Sequence, residues 1–452
     1  MLGSRPVTPP ARTDRGGSTL AAMGRAFRHP NYRLFFFGQG TSLIGTWLTR
    51  VATSWLVYRL TGSALLLGFV GFAGQIPTFL IAPIAGVLVD RWDRHRVLVV
   101  TQVLAMVQSG LLAAFALTGT ITVWHVLSLA AFQGVINAFD TPARQAFVVQ
   151  MVDAREDLSN AIALNSSMVN GARLIGPSVA GVLIAAVGEG WCFAIDAISY
   201  LAVIASLLAM RIARPERRER KRGHVLADLR EGFRYVSSFA PIRAILLLLA
   251  LVSLTGMPYT VLMPVFAGEV LHGGAHTLGL LMAASGVGAV TGALWLASRR
   301  TVLGLGRALW VAGALFGAGL IGFSLSRSVW LSVPLMMVTG GGMMVQMAAS
   351  NTLLQTIVDE DKRGRVMSFY TMAFFGMAPF GSLIAGWLGA RVGAPATVLW
   401  GGVATLAAVG LFVRKLPELR RLTRPIYVRL GILPEIAEAL GRTTEMTSPA
   451  KE

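Results

Sequence analysis

The chain contains 452 residues, of which 54% are hydrophobic and only 14% are charged, whereas soluble domains carry about 25% charged residues. This composition excludes an ordinary soluble protein, and the single cysteine, Cys192, excludes an intramolecular disulfide framework. The formal net charge at pH 7 is +18, but the basic residues fall between long hydrophobic runs. We therefore expect a membrane protein without a nucleic-acid partner.

Residues 1–33 precede the first hydrophobic run and form an expected cytoplasmic tail that lacks the apolar core of a signal peptide. Twelve hydrophobic runs follow, each long enough to cross a bilayer as a helix of roughly 20 residues. They comprise residues 34–58, 65–89, 97–118, 123–139, 164–187, 192–210, 242–266, 278–297, 308–325, 329–352, 366–390 and 397–413. Some connections, such as residues 188–191, are very short, so neighbouring helices must pack antiparallel.

The basic residues are distributed unequally between the two sides of the predicted membrane. All but five of the 40 Lys and Arg residues lie in segments that the alternating runs place on one side. The exceptions are Arg50, Arg59, Arg173, Arg327 and Arg391. By the positive-inside rule this side is the cytoplasm, so both termini are expected there. Basic segments beside a membrane also attract anionic head groups, so membrane lipids are expected partners.

The turn after the second run, residues 91–96, joins two antiparallel spans and contains three Arg residues. Asp90 can pair with these arginines, and Gly71 and Gly86 offer small surfaces for close helix contact. The residues of this predicted gating motif are Gly86, Asp90, Arg91, Asp93, Arg94 and Arg96. On charge alone, an ordinary basic cytoplasmic loop is an equally good interpretation.

Two patterns predict helix starts between the fourth and fifth runs. Asp140-Thr141-Pro142 indicates a start with Thr141 as the N-cap and Pro142 at the first helical position. Asp153, followed by Glu156, resembles a capping box that leads into the fifth run.

The longest break, residues 211–241, contains a dense basic cluster and then a stretch with helical spacing in residues 225–239. The apolar members of this stretch include Leu226, Leu229, Phe233 and Val236. Their spacing predicts an amphipathic helix that lies along the membrane surface. A solvated linker without that helix and a regulatory site are the alternatives.

This break separates residues 34–210 from residues 242–413, and residues 414–452 form an expected cytoplasmic C-terminal tail. The two sets of six runs are related, because residues 148–183 align without a gap on residues 353–388. The identical pairs include Gln150/Gln355, Gly171/Gly376, Gly176/Gly381, Ala180/Ala385, Gly181/Gly386 and Leu183/Leu388. Internal repeats of this kind build secondary transporters, so we predict an all-α polytopic membrane protein whose twelve transmembrane helices form two pseudo-symmetric six-helix bundles.

Several segments of residues 27–413 together resemble the major facilitator superfamily. The turn after the second run is similar to the motif G-x-L-x-D-R-x-G-R-x, with Asp93 at a position that usually holds glycine. This departure leaves the turn less free to adopt a positive φ. The fifth run is similar to the glycine-proline motif of the antiporter branch, although Ala180 replaces one glycine. Its matching residues are Arg173, Gly176, Pro177 and Gly181.

Three further segments, residues 140–145, 193–200 and 363–366, narrow the resemblance. They are similar to the branch that holds bacterial siderophore exporters of the enterobactin-exporter type and macrolide-efflux proteins. The turn after the eighth run, Ser298-Arg299-Arg300, keeps the positive charges of the motif but lacks its acid. The second-half cytoplasmic loop contains Arg363, Gly364 and Arg365.

The resemblance implies roles for these motifs in a two-bundle transporter with the major facilitator fold. Asp90, Arg91 and Arg94 are expected to form an inner gate whose salt bridges break when the bundles separate on the cytoplasmic side. The glycine-proline segment of the fifth run is taken to seal the outer side in antiporter-type members. A positive-inside anchor and ordinary small-residue packing are the respective alternatives.

Charged residues inside the runs are candidate sites of ion coupling, because a charge at mid-helix costs about 2.5–3.5 kcal/mol and needs a partner or a water-filled cavity. Arg50, Arg173 and Asp196 lie within runs, and Asp140 lies at the inner end of the fourth run. Arg50 and Asp196 lie at compatible depths, so the two can pair. If transport is proton-coupled, Asp140 and Asp196 are the expected proton carriers. A fixed ion pair is the alternative for Asp196.

The substrate cavity is expected to be mostly apolar. In this superfamily the first, fourth, seventh and tenth spans line the cavity. Their candidate lining residues here are Trp47, Trp55, Gln133, Asn137, Met257, Tyr259, Met263 and Gln346. Few fixed charges argue against a strongly ionic substrate and favour a large, amphiphilic or weakly charged molecule. No metal site is expected, since His272 and His276 near Glu269 have no second carboxylate or cysteine beside them.

We therefore expect a secondary transporter of the bacterial plasma (inner) membrane that exports a hydrophobic or amphiphilic drug, macrolide or siderophore by alternating access. It is expected to use a proton gradient by antiport, without a cofactor, and to act as a monomer. A lipid or lysolipid transporter, or an importer of the same fold, is the alternative within transport. A membrane-embedded sensor or enzyme is disfavoured, because no His, Asp or Cys cluster lies at one membrane face and no phosphate-binding loop is present.

Overall fold

The computed structural model describes residues 25–148, 150–152, 155–211, 225–299 and 301–430, and its regular elements there are all helical. The helices are α1 (Pro30–Thr61), α2 (Ala64–Arg91), α3 (Arg94–Leu117), α4 (Val123–Val148), α5 (Arg155–Val187), α6 (Glu189–Ala209), α7 (Val225–Ser238), α8 (Ala240–Thr255), α9 (Tyr259–Val265), α10 (Ala275–Ala297), α11 (Leu305–Leu325), α12 (Val329–Ile357), α13 (Arg363–Phe375), α14 (Ala378–Val392) and α15 (Ala394–Arg429). The last helix extends 16 residues beyond residue 413, where the twelfth run was predicted to end.

Within the described ranges, ten helical segments are long and apolar enough to cross a membrane. They are Ala64–Ala82, Arg94–Leu117, Asn160–Val187, Glu189–Ala209, Ala240–Val270, Ala275–Ala297, Leu305–Leu325, Val329–Ile357, Arg363–Val392 and Ala394–Arg429. Helices α1 and α4 are outside this group because they are more polar, although they contain 32 and 26 residues. At 1.5 Å per residue both exceed the roughly 30 Å of a hydrocarbon core.

The fourth helix continues through the segment where a new helix was predicted to begin. Pro142 lies inside α4, so the prediction of a helix start with Thr141 as its N-cap is wrong. Proline in a helix removes one backbone hydrogen bond and bends the helix, but tertiary packing can hold the helix together across it. Here Ala143 and Phe147, just beyond the proline, are fully buried in that packing. Asp153 and the side chain of Glu156, on which the predicted capping box depends, lie outside the described residues.

The seventh and eleventh runs, predicted as continuous spans, are each broken near the middle. In the seventh run α8 and α9 are separated by Gly256-Met257-Pro258, and a π-helical turn, Phe266–Val270, follows α9. In the eleventh run α13 and α14 are separated at Gly376 and Met377. Pro258 has no backbone N–H group to donate, and Gly256 and Gly376 are poor helix formers. The local sequence therefore explains both breaks.

The helices alternate in direction between two ends of the molecule. We call the end that carries the 91–96 turn the basic end. There Nε2 of His95, at the start of α3, donates to the carbonyl oxygen of Leu207 near the end of α6 at 2.7 Å. At the opposite end, α1 terminates in Gly62, whose φ of 57° suits glycine. Next to it, Arg59 binds Glu189 through Nε and Nη2, at 2.8 and 3.0 Å.

The same pattern of helix pairs occurs twice along the chain. In the first half α1 packs on α5 and α6, α3 packs on α4 and α6, and α2 packs on α4. In the second half α8 packs on α13 and α15, α11 packs on α12 and α15, and α10 packs on α12. Between the halves, α5 packs on α10 and α2 packs on α14. These two inter-half seams, α5–α10 and α2–α14, frame the candidate site.

Candidate functional site

The α5–α10 seam is closest where α5 approaches the opposite end. A Cβ atom at Gly279 would lie 2.6 Å from the carbonyl oxygen of Pro177 and 2.7 Å from Cα of Gly181. Such distances leave no room for a side chain, so the two backbones touch directly. The seam continues toward the middle of the molecule, where Gly286 faces the backbone of Arg173. Further toward the basic end, a Cβ atom at Gly171 would meet no described atom of another helix within 4 Å.

The α2–α14 seam follows the same course. A Cβ atom at Gly386 would lie 2.7 Å from Cα of Gly68, near the opposite end. Toward the middle, the rings of Phe79 and Phe380 meet edge to face with centroids 6.1 Å apart. Closer to the basic end, a Cβ atom at Gly86 would meet no described atom of a neighbouring helix within 4 Å, so no close helix contact of the described residues uses its small surface. Among the described residues, the close glycine contacts of both seams therefore lie at the opposite end and in the middle, and neither Gly86 nor Gly171 takes part in one.

Further contacts close the opposite end. The ring of Tyr58 in α1 lies against Gly268, and its hydroxyl group faces the carboxylate of Glu269 in the second half. A cavity of about 460 Å³ lies beside these contacts. It is lined by Trp55, Arg59, Ile184, Ala185, Gly188, Glu189, Gly274, Ala275 and His276. Of the predicted cavity residues, only Trp55 lines this cavity at the opposite end.

In the basic turn, Asp93 caps α3. Its Oδ1 accepts hydrogen bonds from the backbone N–H groups of His95 and Arg96 at 3.0 and 3.3 Å. The residue has φ −68° and ψ 109°, so the turn uses no positive φ, and the glycine-to-aspartate departure strains nothing here. Oδ2 lies 3.8 Å from Nε of Arg96 across an exposed pair. Beside the turn, Trp92 stacks on Phe139.

The other members of the gating motif are placed less completely. Asp90 and Arg91 end α2, but the side chain of Asp90 lies outside the described residues. Arg94 is the first residue of α3, and its side chain interacts with another group of the protein. The predicted gate pairing of Asp90 with the arginines therefore remains a prediction.

Replacing Asp93 by alanine is expected to destabilise the protein by about 1 kcal/mol, because two N–H groups at the start of α3 lose their acceptor. Asp93→Asn, which keeps an acceptor oxygen, serves as the matched control and is expected to cost little. Thermal unfolding of the purified protein in detergent measures both. An equal loss for the asparagine variant would show that charge, and not capping, is the contribution of Asp93.

The second-half loop binds the linker helix α7. Nη1 of Arg365 lies 2.6 Å from Oε1 of Glu231, and the hydroxyl of Tyr235 donates to Oδ2 of Asp359 at 3.2 Å. The Nζ atom of Lys362 lies 4.7 Å from the centroid of the Tyr235 ring. Arg363 lies within 3.8 Å of exposed Glu360, and Gly364 has open space beside it. The linker helix is thus fixed to the start of α13.

The predicted amphipathic helix is confirmed as a helix, and its described side chains divide as follows. Val236 is buried, whereas Phe233 is 64% exposed and lies 6.4 Å, centroid to centroid, from Phe369. The side chains of Leu226 and Leu229 lie outside the described residues. At the other end of the linker, Asn31 of α1 exchanges two hydrogen bonds with the backbone of Arg211, at 2.9 and 3.2 Å.

Asp196 is buried between α1, α3 and α6, and only 1% of its surface is exposed. Its Oδ2 accepts hydrogen bonds from Thr49 at 2.8 Å and from Ser109 at 2.7 Å, while Oδ1 has no partner among the described residues. The predicted pairing with Arg50 is not formed. The guanidinium group of Arg50 lies instead over the ring of Trp47, 4.6 Å from its centroid.

Asp140 is buried at the basic end of the same half and is fully partnered. Its Oδ1 accepts from Thr101 at 3.1 Å and from Gln102 at 2.7 Å, and its Oδ2 lies 3.3 Å from Nη2 of Arg144. Asp140 and Asp196 therefore differ: the first has a cation beside it and the second has only hydroxyl groups.

The remaining predicted cavity residues fall into two groups. Trp47, Gln133, Asn137 and Met257 are partly buried, and Gln133 donates to Asn137 along α4 at 3.1 Å. Tyr259, Met263 and Gln346 are almost completely buried in helix packing, and Tyr259 borders only a small pocket of about 20 Å³. Tyr259, for example, shares a hydrogen bond with Ser285 of α10 at 3.1 Å.

The sequence reasoning missed the residues that close the opposite end. Gly68 and Gly279 had no motif around them, and only the glycines that they contact across the seams, Gly386 and Gly181, were singled out, as a matched pair of the repeat. Glu189 was assigned to a short connection, although it opens α6 and binds Arg59. The seams could have been predicted from small residues that lie at the same depth in two facing helices.

Comparison with known proteins connects this architecture to a family. The family model described as transmembrane secretion effector matches residues 21–425. The chain is 26% identical to the staphyloferrin A transporter of Staphylococcus aureus, over 78% of this chain and 88% of that protein. It is 26% identical to the multidrug efflux pump Tap of Mycolicibacterium fortuitum, over 87% and 98% respectively. It is also 26% identical to the enterobactin exporter of Citrobacter koseri, over 88% and 94%.

Solved structures show the same fold at lower sequence identity. A bacterial homologue of the lysosomal transporter spinster, in an inward-facing and unoccupied conformation, superposes with a TM-score of 0.64 at 15% identity, over 89% of this chain and 98% of that one. A bacterial homologue of the iron transporter ferroportin, in an inward-facing state, gives a TM-score of 0.61 at 16% identity, over 84% and 98%.

Proposed function

The chain belongs to the transmembrane secretion effector family of major facilitator transporters, and on this premise we propose that it exports a hydrophobic or amphiphilic small molecule in exchange for protons. It is a multi-pass protein of the bacterial inner membrane and a transporter, not an enzyme. The observation that carries the proposal is the unequal packing of the two seams, whose close glycine contacts lie at the opposite end, while Gly86 and Gly171 toward the basic end make none with described residues. Alternating access requires a pair of seams that can open at either end.

The proposed architecture has twelve transmembrane helices in two six-helix bundles. Helices α1 and α4 join the ten apolar segments, because their length suffices and their polar residues face the protein interior, as Gln39 and Asp140 do. The repeated helix pairing supports two related bundles, residues 34–210 and 242–413, joined by residues 211–241. Since one chain supplies both bundles, we propose a monomer as the working unit.

We place the basic end in the cytoplasm, with both terminal tails, because the positive-inside rule assigns basic turns to that side. The present conformation is then inward-facing. Asp90, Arg91 and Arg94 would close the inner side when the bundles rock, bringing Gly86 of α2 and Gly171 of α5 into contact with the second half. Exposed ion pairs contribute about 1 kcal/mol or less each, which suits a gate that opens in every cycle.

Asp196 is the better candidate for the coupled proton. An ionised carboxylate that is buried without a cation is costly, whereas a protonated one is not. Asp140 has Arg144 beside it, which compensates a permanent negative charge. The α3 residues that contact the two acids, Gln102 and Ser109, lie two turns apart on one helix. We therefore assign proton binding to Asp196 and a structural or exit role to Asp140.

Transport into proteoliposomes tests this function. With the full chain reconstituted, a panel of a macrolide, a hydrophobic amine drug and a carboxylate siderophore is offered under an imposed pH gradient. For one proton exchanged per molecule, each pH unit sustains about a tenfold concentration ratio. Asp196→Asn keeps acceptor oxygen for Thr49 and Ser109, and is expected to exchange substrate at equal pH but to ignore the gradient.

The exposed acid Glu360 provides the matched control, since Glu360→Gln should leave the response to the gradient unchanged. If the wild-type protein transports a compound of the panel and this transport does not respond to the gradient, proton antiport is excluded. If the wild type responds and Asp196→Asn responds equally, Asp196 is removed from the proton path.

A further inference from the structure

The cavity at the opposite end is walled by both halves of the chain. Its volume of about 460 Å³ lies within the range of about 300–1,000 Å³ that is usual for pockets that bind drug-sized molecules. The first half supplies the ends of α1 and α5 and the start of α6, and the second half supplies the start of α10. Since each of these segments ends or begins there, the cavity lies at the ends of the helices and not in the middle of the molecule.

The second-half wall of this cavity also takes part in the α5–α10 seam. A Cβ atom at Gly181, one turn before Ile184, would lie 3.0 Å from the carbonyl oxygen of Ala275 and 3.2 Å from Cα of His276. Ile184, Ala275 and His276 all line the cavity. Separation of α5 from α10 therefore moves the cavity walls apart, so the cavity keeps this shape only while the opposite end is closed.

An aromatic pair connects the cavity with a second contact between the halves. The ring of Trp55, which lines the cavity, lies 5.4 Å from the ring of Tyr58, centroid to centroid. Tyr58 packs on Gly268 of the second half so closely that an added Cβ atom would overlap its ring. A molecule that stacks on Trp55 therefore lies beside a residue pair that joins the two halves, and the ring favours an aromatic body.

The polar groups of the cavity favour a neutral ligand. Arg59 binds both carboxylate oxygens of Glu189, at 2.8 and 3.0 Å, so the pair carries no net charge. A guanidinium group has five N–H donors, and Glu189 accepts from only two of them. The side chain of Arg59 is 55% exposed, so its other donors are accessible. An anion would have to compete with Glu189 for Arg59, whereas a neutral oxygen acceptor can bind the remaining donors.

We propose that this cavity binds a neutral aromatic molecule with oxygen acceptors, and that the bound molecule holds the two halves together at the opposite end. The aromatic ring lies on Trp55, and the oxygens accept hydrogen bonds from Arg59. Because the walls separate when that end opens, the ligand binds the closed form and shifts the equilibrium toward it. Such a ligand inhibits export. The inhibition rests on the proposed alternating-access cycle, whereas the binding does not.

Fluorescence polarisation with the full chain in detergent tests the site. The probes are coumarin-3-carboxamide and coumarin-3-carboxylate, which share a planar ring with oxygen acceptors and differ in charge. The amide should bind more tightly than the acid, because the cavity offers no uncompensated positive charge at Arg59. Trp55→Ala should weaken binding of the amide by about 2–12-fold or more, which is the contribution of ring stacking beyond the buried area.

Two neighbouring alanines at the end of α5 provide a matched pair of variants. Both are exposed, but of the two only Ala185 lines the cavity. Ala185→Trp should fill the cavity and weaken binding of the amide at least about tenfold. Ala186→Trp adds the same ring outside the cavity and should leave binding unchanged.

Trp387 provides the control for the loss of a tryptophan. It lies at the same end beside an arginine, with the guanidinium of Arg391 4.8 Å from its ring centroid, but it does not line the cavity. Trp387→Ala should leave binding of the amide unchanged. Equal effects of the two α5 variants, an equal loss in Trp55→Ala and Trp387→Ala, or tighter binding of the acid would each overturn the proposed site.

Thiol labelling tests whether the ligand holds the opposite end closed. Ser382 is buried in the α2–α14 seam, so in spheroplasts an impermeant reagent should label Ser382→Cys only when that end opens. The amide at ten times its Kd should slow the labelling about tenfold, because only the unliganded fraction opens. Unchanged labelling at this concentration would overturn the closing role. Slower labelling in a protein that transports no compound would instead contradict the proposed export and leave the site standing.

Discussion

Replacing Gly181 by valine is expected to disable the transport cycle by forcing α5 and α10 apart at the opposite end. A Cβ atom there would lie 3.0 Å from the carbonyl oxygen of Ala275 and 3.0 Å from Cα of Gly279. Backbone atoms on a facing helix cannot move aside as a side chain can. Overpacking of this kind costs about 1–3 kcal/mol, which would shift the equilibrium toward the conformation that is open at the opposite end about 5–150-fold. Transport should fall accordingly.

Thiol labelling measures this shift directly. Ser382 is buried in the α2–α14 seam, and Ser382→Cys is nearly isosteric. An impermeant thiol reagent added from the outside should label it faster in the Gly181→Val background, while the native Cys192 is buried and contributes little. Gly410 has open space beside it, so Gly410→Val is the control. Labelling that is equally slow in both backgrounds would show that the seam does not govern opening.

The second large effect is expected on stability. Gly288 of α10 lies so close to α12 that a Cβ atom would overlap the backbone of Met337 and lie 2.9 Å from the amide nitrogen of Gly341. This contact lies within the second half, so no step of the cycle is expected to relieve it. Gly288→Val should therefore destabilise the protein by about 1–3 kcal/mol, and by more if the helices cannot separate.

Thermal unfolding in detergent, followed by tryptophan fluorescence, measures the loss. Gly110 of α3 has open space beside it, and Gly110→Val should unfold near the wild-type temperature. Should the Gly288 and Gly110 variants unfold at the same temperature, the close α10–α12 contact would not be a source of stability. A Gly181 variant that unfolds like the wild type while it fails to transport would separate the two kinds of glycine contact.

The apolar runs predicted the helices well because hydrophobic length is a local property. Every predicted run overlaps described helix, although two of them are broken, and the linker helix was recognised from the spacing of its apolar residues. The breaks at Pro258 and Gly376 were missed, since each lies in a run that is apolar enough to read as continuous. At Pro142 the error was the opposite one, since a helix start was predicted where α4 continues. The packing of the nearby Phe147, which holds α4 together, cannot be recognised from a local motif.

The candidate site was harder to predict, because it depends on which helix faces which. Arg50 and Asp196 were correctly singled out as embedded charges, but matching depths do not fix direction. In the structure the side chain of Thr49 points toward Asp196, whereas the side chain of Arg50 lies over Trp47. Similarly, membership of the seventh run did not reveal that Tyr259 packs inward on Ser285. Side-chain direction around a helix requires the neighbouring helices to be placed first.

The attachments of the linker determine where the gene can be divided for co-expression of its two parts. Arg211 is held by Asn31 and belongs to the N-terminal fragment, whereas α7 is held by Asp359 and Arg365 and belongs to the C-terminal one. A break between residues 211 and 225 leaves both attachments with their own fragment. A break after Ser238 would leave α7 in the N-terminal fragment, separated from Asp359 and Arg365. Co-expressed fragments divided there should therefore restore function less well.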